Sequence, residues 1–297
     1  MKTKFKFIKY TKLWFLMSSI LILIGVAGLI NNKISTGNFL NLGIDFTGGT
    51  LMEIEFPDSQ TDKTTELRTL MPEAQIIVTN ENSYIIQTQN IANEKYEELK
   101  TKITNQIGKY EEIRYTSIGP KIGDTLKKKA IVALAIALIA IVIYIAYAFR
   151  YVPKRVSPWK FGVCAIAALL HDVFITLGIF AVLNYKVDAF FITALLTILG
   201  FSVHDTIVVF DRVRENLKSQ GRNDSFSDIA DLSLNQTLTR SLNTSLSTLF
   251  TLTALYFLGA ESIRVFVFAL IIGIFVGTYS SIFIATPLLS LWQNKRK

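Results

Sequence analysis

The residue best placed for proton chemistry is Asp205, which lies inside an apolar segment. It is six residues before Asp211, at the end of that segment, which is about 9 Å along a helix. A charged side chain deep in a bilayer costs about 2.5–3.5 kcal/mol or more, so it requires an explanation. Desolvation favours the protonated form of a carboxyl group, which suits a group that takes up and releases protons. The alternative is a structural carboxylate that is permanently paired with a cation.

Arg240 is the nearest obvious cation, and it opens a polar stripe along the next apolar segment. The polar stripe comprises Arg240, Asn243, Thr244, Ser247, Thr248 and Thr251. Spacings of three and four residues place these side chains on one face of a helix. Lipid would penalise such a face, so it must look into protein or into a water-filled cavity. Hydrogen bonding between helices would explain the Ser and Thr residues, whereas a hydrated path beside Asp205 would also explain Arg240 and Asn243.

Both histidines of the chain directly precede an aspartate in an apolar segment, His171 before Asp172 and His204 before Asp205. An imidazole titrates near physiological pH and can relay protons. Adjacent helix positions do not face each other, so neither pair is necessarily hydrogen-bonded. We therefore treat these residues as supporting groups that either relay protons or fill space. Two histidines alone do not make a metal site, and we expect no metal.

The composition excludes an ordinary soluble enzyme, since 51% of the 297 residues are hydrophobic and only 18% are charged. The net charge of +8 does not indicate a nucleic-acid partner, because the basic residues cluster at the ends of apolar runs, where they orient helices. Cys164 is the only cysteine, which excludes an intramolecular disulfide and a cysteine-based zinc site. We find no nucleophile–base arrangement or nucleotide site, and we expect neither enzyme activity nor a cofactor.

The apolar residues collect into six runs of about 20, the length that crosses a hydrocarbon core. They predict a polytopic α-helical membrane protein with six transmembrane helices. The predicted spans are 13–30, 129–149, 158–183, 188–210, 241–259 and 264–292. Residues 1–12 are rich in lysine, as at the start of a cleaved signal peptide, but the run that follows is long for one and lacks a clear cleavage site. We expect an uncleaved first span.

The distribution of positive charge orients the chain in its membrane, with both termini, 1–12 and 293–297, in the cytoplasm. The basic residues of the predicted cytoplasmic segments are Arg150, Lys154 and Arg155, then Arg212, Arg214, Lys218 and Arg222, then Lys295, Arg296 and Lys297. The short outer loops hold only Lys186 and Arg264. Residues 127–129 are three lysines at the outer end of span two, but large domains translocate largely regardless of charge.

Residues 31–126 are polar and acidic, and they are predicted to form one small α+β domain outside the cytoplasm. Alternation predicts strands, and helical periodicity predicts helices. In chain order the elements are a strand 50–56, a helix 61–71, strands 74–79 and 83–88 around Asn80-Glu81-Asn82, a helix 91–107 and a strand 110–118. This β-α-β-β-α-β order is that of the ferredoxin-like arrangement.

Residues 127–292 hold the other five helices, and the segment 211–240 connects spans four and five in the cytoplasm. Within it, 224–239 spaces apolar residues among polar ones, which is typical of a helix lying at the membrane interface. An extension of span five fits the same pattern, so both interpretations stay open.

Span six carries a small residue at every fourth position. This small-residue stripe comprises Ala269, Gly273, Gly277, Ser281 and Ala285. Such spacing permits close packing of helices, and we interpret it as scaffolding.

The segment 43–50, with the sequence GIDFTGGT, precedes the first predicted strand. Its glycines are similar to those of a phosphate-binding loop, but no Gly-Lys-Ser/Thr follows and no helix is expected to begin there. We predict a tight turn in which an aspartate bonds local backbone, and which serves as a domain hinge. Its residues are Gly43, Asp45, Gly48 and Gly49.

Several segments together resemble one protein family. They are GIDFTGGT at 43–50, Ile118-Gly119-Pro120, His171-Asp172 and DTIVVFDRVREN at 205–216. With the six-span layout, they resemble SecF, the smaller subunit of the SecDF accessory complex of bacterial protein export, in the resistance-nodulation-division superfamily. The first and last segments are highly specific, whereas the His-Asp pair is not. The chain departs from the family pattern at His204, where Asn is common.

The resemblance implies a proton-coupled, multi-pass subunit of the bacterial inner membrane that performs no covalent chemistry. Its expected partners are SecD, which supplies the matching six-span half, the SecYEG channel, the unfolded exported polypeptide and membrane lipids. Carried onto this sequence, Asp205 is the protonatable group and Arg240 is its partner, beside Asn243, Thr244 and Ser247. Protonation of Asp205 would weaken its attraction to Arg240 and let spans four and five repack. Proton-motive force would thereby drive late steps of export.

Two other functions fit parts of the pattern. A subunit that exports a lipid or small molecule would also use intramembrane carboxylates, although such a pump ordinarily carries larger outer domains than 31–126. A passive membrane scaffold would use its charges only for assembly, and it would tolerate loss of the Asp205 carboxylate.

Overall fold

The computed structural model describes residues 5–57, 61–80, 82–91, 93–150, 156–219 and 225–294. The chain divides into two compact units, which we call the α+β unit (Leu42–Ile131) and the helical unit (Met1–Asn41 with Val132–Lys297). Several residues that carry predictions lie outside the described ranges. They include the cations Lys154, Arg155, Arg222, Lys295, Arg296 and Lys297, which are predicted to be cytoplasmic, residue Asp224, and Glu81 of the predicted hairpin.

Helices dominate the described residues, with four strands in the α+β unit. The element order is a 3₁₀ turn (Ile8–Tyr10), α1 (Thr11–Thr36), α2 (Ile44–Thr47), β1 (Gly49–Glu55), α3 (Thr64–Leu70), β2 (Gln75–Asn80), β3 (Ser83–Thr88), α4 (Asn93–Gln106), β4 (Glu111–Ile118), α5 (Pro120–Ala148), α6 (Pro158–Val182), α7 (Ala189–Ser219), α8 (Phe226–Leu258), α9 (Glu261–Ser280), a π-helical turn (Ser281–Ala285) and α10 (Thr286–Asn294). We refer to Ser281–Ala285 as the π turn.

In the described part of the α+β unit, the strands form one antiparallel sheet in the order β2-β3-β1-β4. The predicted strands and helices are present there, with ends that differ by a few residues. Side chains alternate along β1, so Met52 and Ile54 face the core, and Leu67 of α3 and Ile103 of α4 pack against them. The apolar face of the sheet and the apolar faces of the two helices therefore form a single core.

The segment 43–50 forms a tight turn before β1, but it contains the one-turn helix α2. The expectation that no helix begins there is therefore wrong. Gly48 and Gly49 have φ values of 72° and 134°, which side chains with a Cβ rarely adopt. A Cβ on Gly48 would also lie 2.8 Å from the Cα of Pro120, so the turn packs directly on the first residue of α5.

Within the described ranges, five helical segments are long and apolar enough to cross a membrane. They are Ile8–Thr36, Pro120–Ala148, Pro158–Val182, Ala189–Ser219 and Glu261–Gln293. They overlap predicted spans one, two, three, four and six. Predicted span five, 241–259, falls within α8, where the polar stripe interrupts the apolar residues. Span five therefore stays a prediction.

The described parts of 211–240 belong to two long helices. α7 continues to Ser219, and α8 begins at Phe226 and runs without a break to Leu258. The stretch 226–239 is therefore continuous with predicted span five, as the second interpretation expects, and its place at the membrane interface stays a prediction. Ser225 caps α8 by accepting a hydrogen bond from the Asp228 backbone N–H, which satisfies one free donor of the first turn.

Predicted span six is not one regular helix, because the π turn separates α9 from α10. A π-helical turn forms i→i+5 hydrogen bonds; such turns are rare and are frequently found at functional sites. Here Thr286 Oγ1 also donates to the Ser281 carbonyl at 3.3 Å. The side chain thus follows the same i→i+5 spacing as the backbone.

Small residues bring the helices of the helical unit close together. A Cβ on Gly25 of α1 would lie 2.8 Å from the Cα of Gly178 of α6, so these helices touch backbone to backbone. A Cβ on Gly273 of α9 would lie 2.1 Å from Ile198 Cδ1 of α7. The small-residue stripe thus packs against α7, the helix that carries Asp205.

Candidate functional site

Asp205 is buried on α7, with 6% of its surface exposed. Ser241 of α8 donates a hydrogen bond to its Oδ1 at 2.6 Å, and Ser281 of the π turn donates to its Oδ2 at 2.7 Å. Among the described residues, no Lys or Arg forms an ion pair with this carboxylate. Asp205 is therefore held by neutral hydroxyl groups from two different helical segments.

Polar contacts on both sides of Asp205 fix α7, α8 and α9 against one another. Toward the Ser219 end of α7, Asn216 donates to Ser233 of α8 at 2.8 Å. On the other side of Asp205, Ser245 of α8 and Thr278 of α9 lie 2.6 Å apart. Because all four of these side chains are buried, each bond helps to hold the hydroxyl donors near Asp205.

Asp172 of α6 is fully buried and has more partners than Asp205. His171 Nδ1 lies 2.9 Å from its Oδ1, while Ser202 of α7 and Ser280 of α9 donate to its Oδ2 at 2.5 and 2.8 Å. His171 Nε2 lies 2.9 Å from Ser18 Oγ of α1. The His171–Asp172 pair is thus hydrogen-bonded, although adjacency did not require it.

The two carboxylates belong to one cluster of hydrogen bonds, which we call the carboxylate network. Ser280 and Ser281 are consecutive, and they donate to Asp172 and Asp205 respectively. Ser202, a donor to Asp172, lies on α7 about one helical turn before Asp205. The network therefore joins α6, α7, α8 and the α9–π-turn junction.

The structure does not bring Arg240 and Asp205 together. Arg240 is exposed on α8, whereas its neighbour Ser241 is buried against Asp205. Along the rest of the polar stripe the hydroxyls donate to carbonyls of α8 itself, as Thr244 does to Arg240 and Ser247 does to Thr244. The polar stripe, including Asn243, therefore lies on a face of α8 that the described chain leaves largely open.

The two histidines differ in environment. His171 is 7% exposed and lies in the carboxylate network. His204 is exposed on α7, and among the described residues no hydrogen bond joins it to Asp205. Only one of the two His-Asp pairs is therefore in direct contact.

The remaining predicted residues lie elsewhere. Gly43, Asp45, Gly48 and Gly49 belong to the turn before β1 in the α+β unit. Cys164 is a buried free thiol on α6. In the ranges that the structure describes, no group of three or more His, Cys, Asp or Glu residues is arranged to hold a metal ion.

The first described residues, Phe5 to Ile8, are hydrogen-bonded to α8, a contact that the sequence did not predict. Asp231 accepts a hydrogen bond from the Ile8 N–H at 3.0 Å, and Asn235 exchanges two hydrogen bonds with the backbone of Phe5. Phe7, which lies between Phe5 and Ile8 in the sequence, is buried in an apolar cluster. Burial raises the pKa of the Asp231 carboxyl, although the backbone donors oppose this. The sequence signal was two polar side chains four residues apart on one helix face.

The serine partners of the carboxylates were also missed. Ser241, Ser202 and Ser280 carried no prediction, and Ser281 was assigned only to the small-residue stripe. Serines are common in transmembrane helices, where they bond their own backbone or a neighbouring helix. The one local signal was the spacing of Ser202 and Asp205, which share a helix face.

Comparison with known proteins gives a consistent result. The model of the family described as "Protein export membrane protein SecD/SecF, C-terminal" matches residues 98–295, and the model described as "SecD/SecF GG Motif" matches residues 40–56. The second match contains the turn before β1.

Curated relatives are similar over most of the chain. It is 44% identical to the protein translocase subunit SecF of Thermobaculum terrenum, over 86% of both chains. It is 37% identical to the SecF of Sebaldella termitidis, over 98% of this chain and 93% of that protein.

A solved structure has the same fold. The crystal structure of SecDF from Thermus thermophilus superimposes with a TM-score of 0.84 at 32% identity, covering 98% of this chain and 39% of that one. The chain thus spans about two fifths of that longer protein. With the two family models and the SecF relatives, this agreement leads to one conclusion: the chain belongs to the SecD/SecF family of protein export membrane proteins.

Proposed function

We propose that this chain is a SecF-type subunit that couples proton-motive force to late steps of polypeptide export. The observation that carries the proposal is the buried Asp205 carboxylate, whose partners are the hydroxyls of Ser241 and Ser281. A hydroxyl can donate to a carboxylate or accept from a carboxylic acid, so it serves both protonation states. A permanent guanidinium partner would favour only the charged state. Asp205 is thereby suited to binding and releasing a proton.

In this proposal the polar stripe faces a partner. Its open side chains would be costly against lipid, so protein or a hydrated interface must cover them. The relatives include a SecDF chain in which a SecF-like part is fused to a longer protein, which supports SecD as that partner. Arg240 then approaches Asp205 only when α7 and α8 repack against SecD, and Asn243, Thr244 and Ser247 line the same interface.

We further propose six spans, with α8 crossing the membrane beside SecD. Both termini are cytoplasmic and the α+β unit lies outside the cytoplasm, as the distribution of Lys and Arg favours. The strand order β2-β3-β1-β4 and the two intervening helices favour a ferredoxin-like domain. This domain, hinged at Gly48 and Gly49, acts on unfolded polypeptide that leaves SecYEG.

His171 and Asp172 support the same proton transfer, and His204 faces the partner side.

The test is export of a secreted reporter in cells whose only SecF is this protein, supplied with its cognate SecD. Asp205→Asn removes the exchangeable proton but keeps size and hydrogen-bonding capacity, so we expect export to fall to the level of cells that lack the subunit. Glu66→Gln, an exposed carboxylate in an i,i+3 pair with Lys63, is the matched control and should export normally.

Membrane abundance and association with SecD are measured in the same cells. Equal abundance with lost export supports the proposal. Normal export by Asp205→Asn would make the aspartate structural, and failure of the unmodified chain beside its SecD would contradict a role in export.

A further inference from the structure

We propose that Ser280 and Ser281 are positioning residues that make Asp172 and Asp205 one proton-binding unit, in which the protonation of one carboxylate sets the proton affinity of the other. This deepens the proposed function and rests on it, because it assigns proton binding to two carboxylates where the proposal above needs only Asp205.

The first link is the junction between α9 and the π turn. Ser280 is the last residue of α9 and Ser281 is the first of the π turn. Successive side chains on a helix diverge, so adjacent hydroxyls can serve two different helices. Ser280 Oγ reaches Asp172 of α6 at 2.8 Å, and Ser281 Oγ reaches Asp205 of α7 at 2.7 Å. A displacement of either serine necessarily displaces the other, because one peptide bond joins them.

Each of these hydroxyls has a second acceptor within reach. Ser280 Oγ lies 3.1 Å from the Gly277 carbonyl, and Ser281 Oγ lies 3.0 Å from the Thr278 carbonyl. A hydroxyl has one proton to donate. When a carboxylate is charged it attracts that proton, and when it is protonated the hydroxyl is free to turn to its own helix. The O–H of each serine therefore has two orientations, one towards the carboxylate and one towards its own helix, selected by the charge beside it.

The second link runs through α7. Ser202 donates to the same Asp172 oxygen as Ser280 does, and it shares a helix face with Asp205. A Cβ on Gly277 would lie 3.0 Å from Ser202 Cβ, so α9 and α7 meet here with little free space. Changes at Asp172 thus reach Asp205 along two helices, each of which is tightly packed.

In the part of the chain that the structure describes, the two aspartates are held by neutral hydroxyls and by one imidazole. The titratable groups that face the network are His171 of α6 and Tyr279 of α9, while α1 contributes Ser18 and α8 contributes Ser241 and Ser245. Among the described residues no Lys or Arg pairs with either aspartate. A buried charge on one carboxylate disfavours a charge on another in the same hydrogen-bond network, so this setting favours coupling of the two sites.

The test is the pH dependence of carbodiimide labelling in the full-length protein. Dicyclohexylcarbodiimide reacts with protonated carboxyl groups in apolar surroundings, and mass spectrometry of the Asp205 peptide reports the extent. Ser280→Ala removes a donor to Asp172 and leaves both partners of Asp205 in place. We expect it to shift the proton concentration for half-labelling of Asp205 by about threefold or more. Ser280→Cys, which keeps the volume but donates weakly, should give a smaller shift.

Ser290→Ala is the matched control, since Ser290 is equally buried on α10 and lies 3.2 Å from Ser227 and not from a carboxylate. It should leave Asp205 labelling unchanged. If Ser280→Ala does not fold, Asp172→Asn is assayed in its place with the same expected shift. Unchanged Asp205 labelling in a folded Ser280 or Asp172 variant would overturn the inference. Labelling does not require export, so the two proposals can fail separately. If Ser280→Ala shifts the labelling of Asp205 while Asp205→Asn exports normally, only the proposed function is contradicted.

Discussion

The ion-paired carboxylates of the α+β unit and the two buried aspartates of the helical unit lie in opposite environments. In the α+β unit, carboxylates pair with cations at the surface, as in Glu112 with Lys100 at 3.1 Å and Glu66 with Lys63 at 3.1 Å. In the helical unit, Asp172 and Asp205 are buried and are held by hydroxyl and imidazole groups. At the surface, water lowers the free-energy cost of the charges, and exposed ion pairs therefore contribute little to the stability of the fold.

The difference shows why the second kind of site is suited to proton exchange. A buried charge without a cation is costly, and gaining a proton is the least disruptive way to remove that cost. A surface carboxylate gains nothing comparable from a proton at neutral pH. The predictions below test whether this contrast in environment is also a contrast in energy, beginning with the largest expected effect.

The contrast is sharpest at Asp172. Asp172→Ala would leave Ser202 and His171 Nδ1 without the buried carboxylate that they contact, so we expect a loss of about 3 kcal/mol or more in the free energy of unfolding. Glu66→Ala, at an exposed pair, should change it by about 0.5 kcal/mol or less. Unfolding of the full chain in detergent micelles measures both. Similar losses in the two variants would break the contrast.

Two serines of α8 provide a comparison within one helix. Ser241 is buried and donates to Asp205, whereas Ser247 is exposed and donates to the Thr244 carbonyl. We expect Ser241→Ala to cost about 1–3 kcal/mol and to impair export, and Ser247→Ala to cost about 0.5 kcal/mol or less in the isolated chain. Unfolding and reporter export are measured together. A neutral Ser241→Ala would show that Asp205 does not depend on its hydroxyl partners.

The pH dependence of stability at Glu112 tests the surface carboxylates of the α+β unit. Burial raises the pKa of Glu112, but hydrogen bonds from Tyr96 and Lys100 outweigh it, so the pKa lies below its usual 4.5. A lowered carboxyl pKa adds stability above the unfolded value, and this is lost as the pH falls through the folded value. The stability difference between the native chain and Glu112→Gln should therefore be small at neutral pH and vanish in acid. Glu111→Gln, an adjacent exposed site, is the control, and a difference that grows in acid would contradict the assignment.

Asp231 is intermediate, because it is a buried carboxylate in the predicted cytoplasmic segment 211–240. Burial raises its pKa above 3.8. The folded state then holds the proton more tightly than the unfolded state, so stability falls as the pH rises through the two pKa values. Asp231→Asn keeps an acceptor for the Ile8 N–H, and we expect it to match the native chain in acid and to be slightly more stable at neutral pH. Thermal unfolding at both pH values measures this. A destabilised variant at neutral pH would show that the hydrogen bond from the Ile8 N–H requires the charged carboxylate.

Much of the fold was predictable from local pattern. Apolar runs marked five helices that are long enough to cross a membrane, and alternation marked the strands of the α+β unit. The apolar runs did not give the helix ends, since α7 continues past its apolar run to Ser219 and α8 begins before its own run, at Phe226. Backbone hydrogen bonding does not end where hydrophobicity ends, so helix length cannot be taken from apolar length alone.

Less of the candidate site was predictable. Asp205 and Asp172 were identifiable because a carboxylate in an apolar run has few explanations. Arg240 was paired with Asp205 because it opens the polar stripe of the next apolar segment and because the family resemblance implied the pair, but the structure places Arg240 on an exposed face of α8. The order of segments in the sequence does not determine which helix faces meet.

The sequence by itself determined which residues carry charge into the apolar segments, where the helices and strands lie, and which family the chain resembles. Those properties depend on residue type and on periodicity within one segment. Only the tertiary structure decided that Ser202, Ser241, Ser280 and Ser281 are the partners of the two aspartates. A serine hydroxyl can bond its own helix or another one, and which acceptor it finds depends on the close packing of α9 on α7 and on the π turn that follows Ser280.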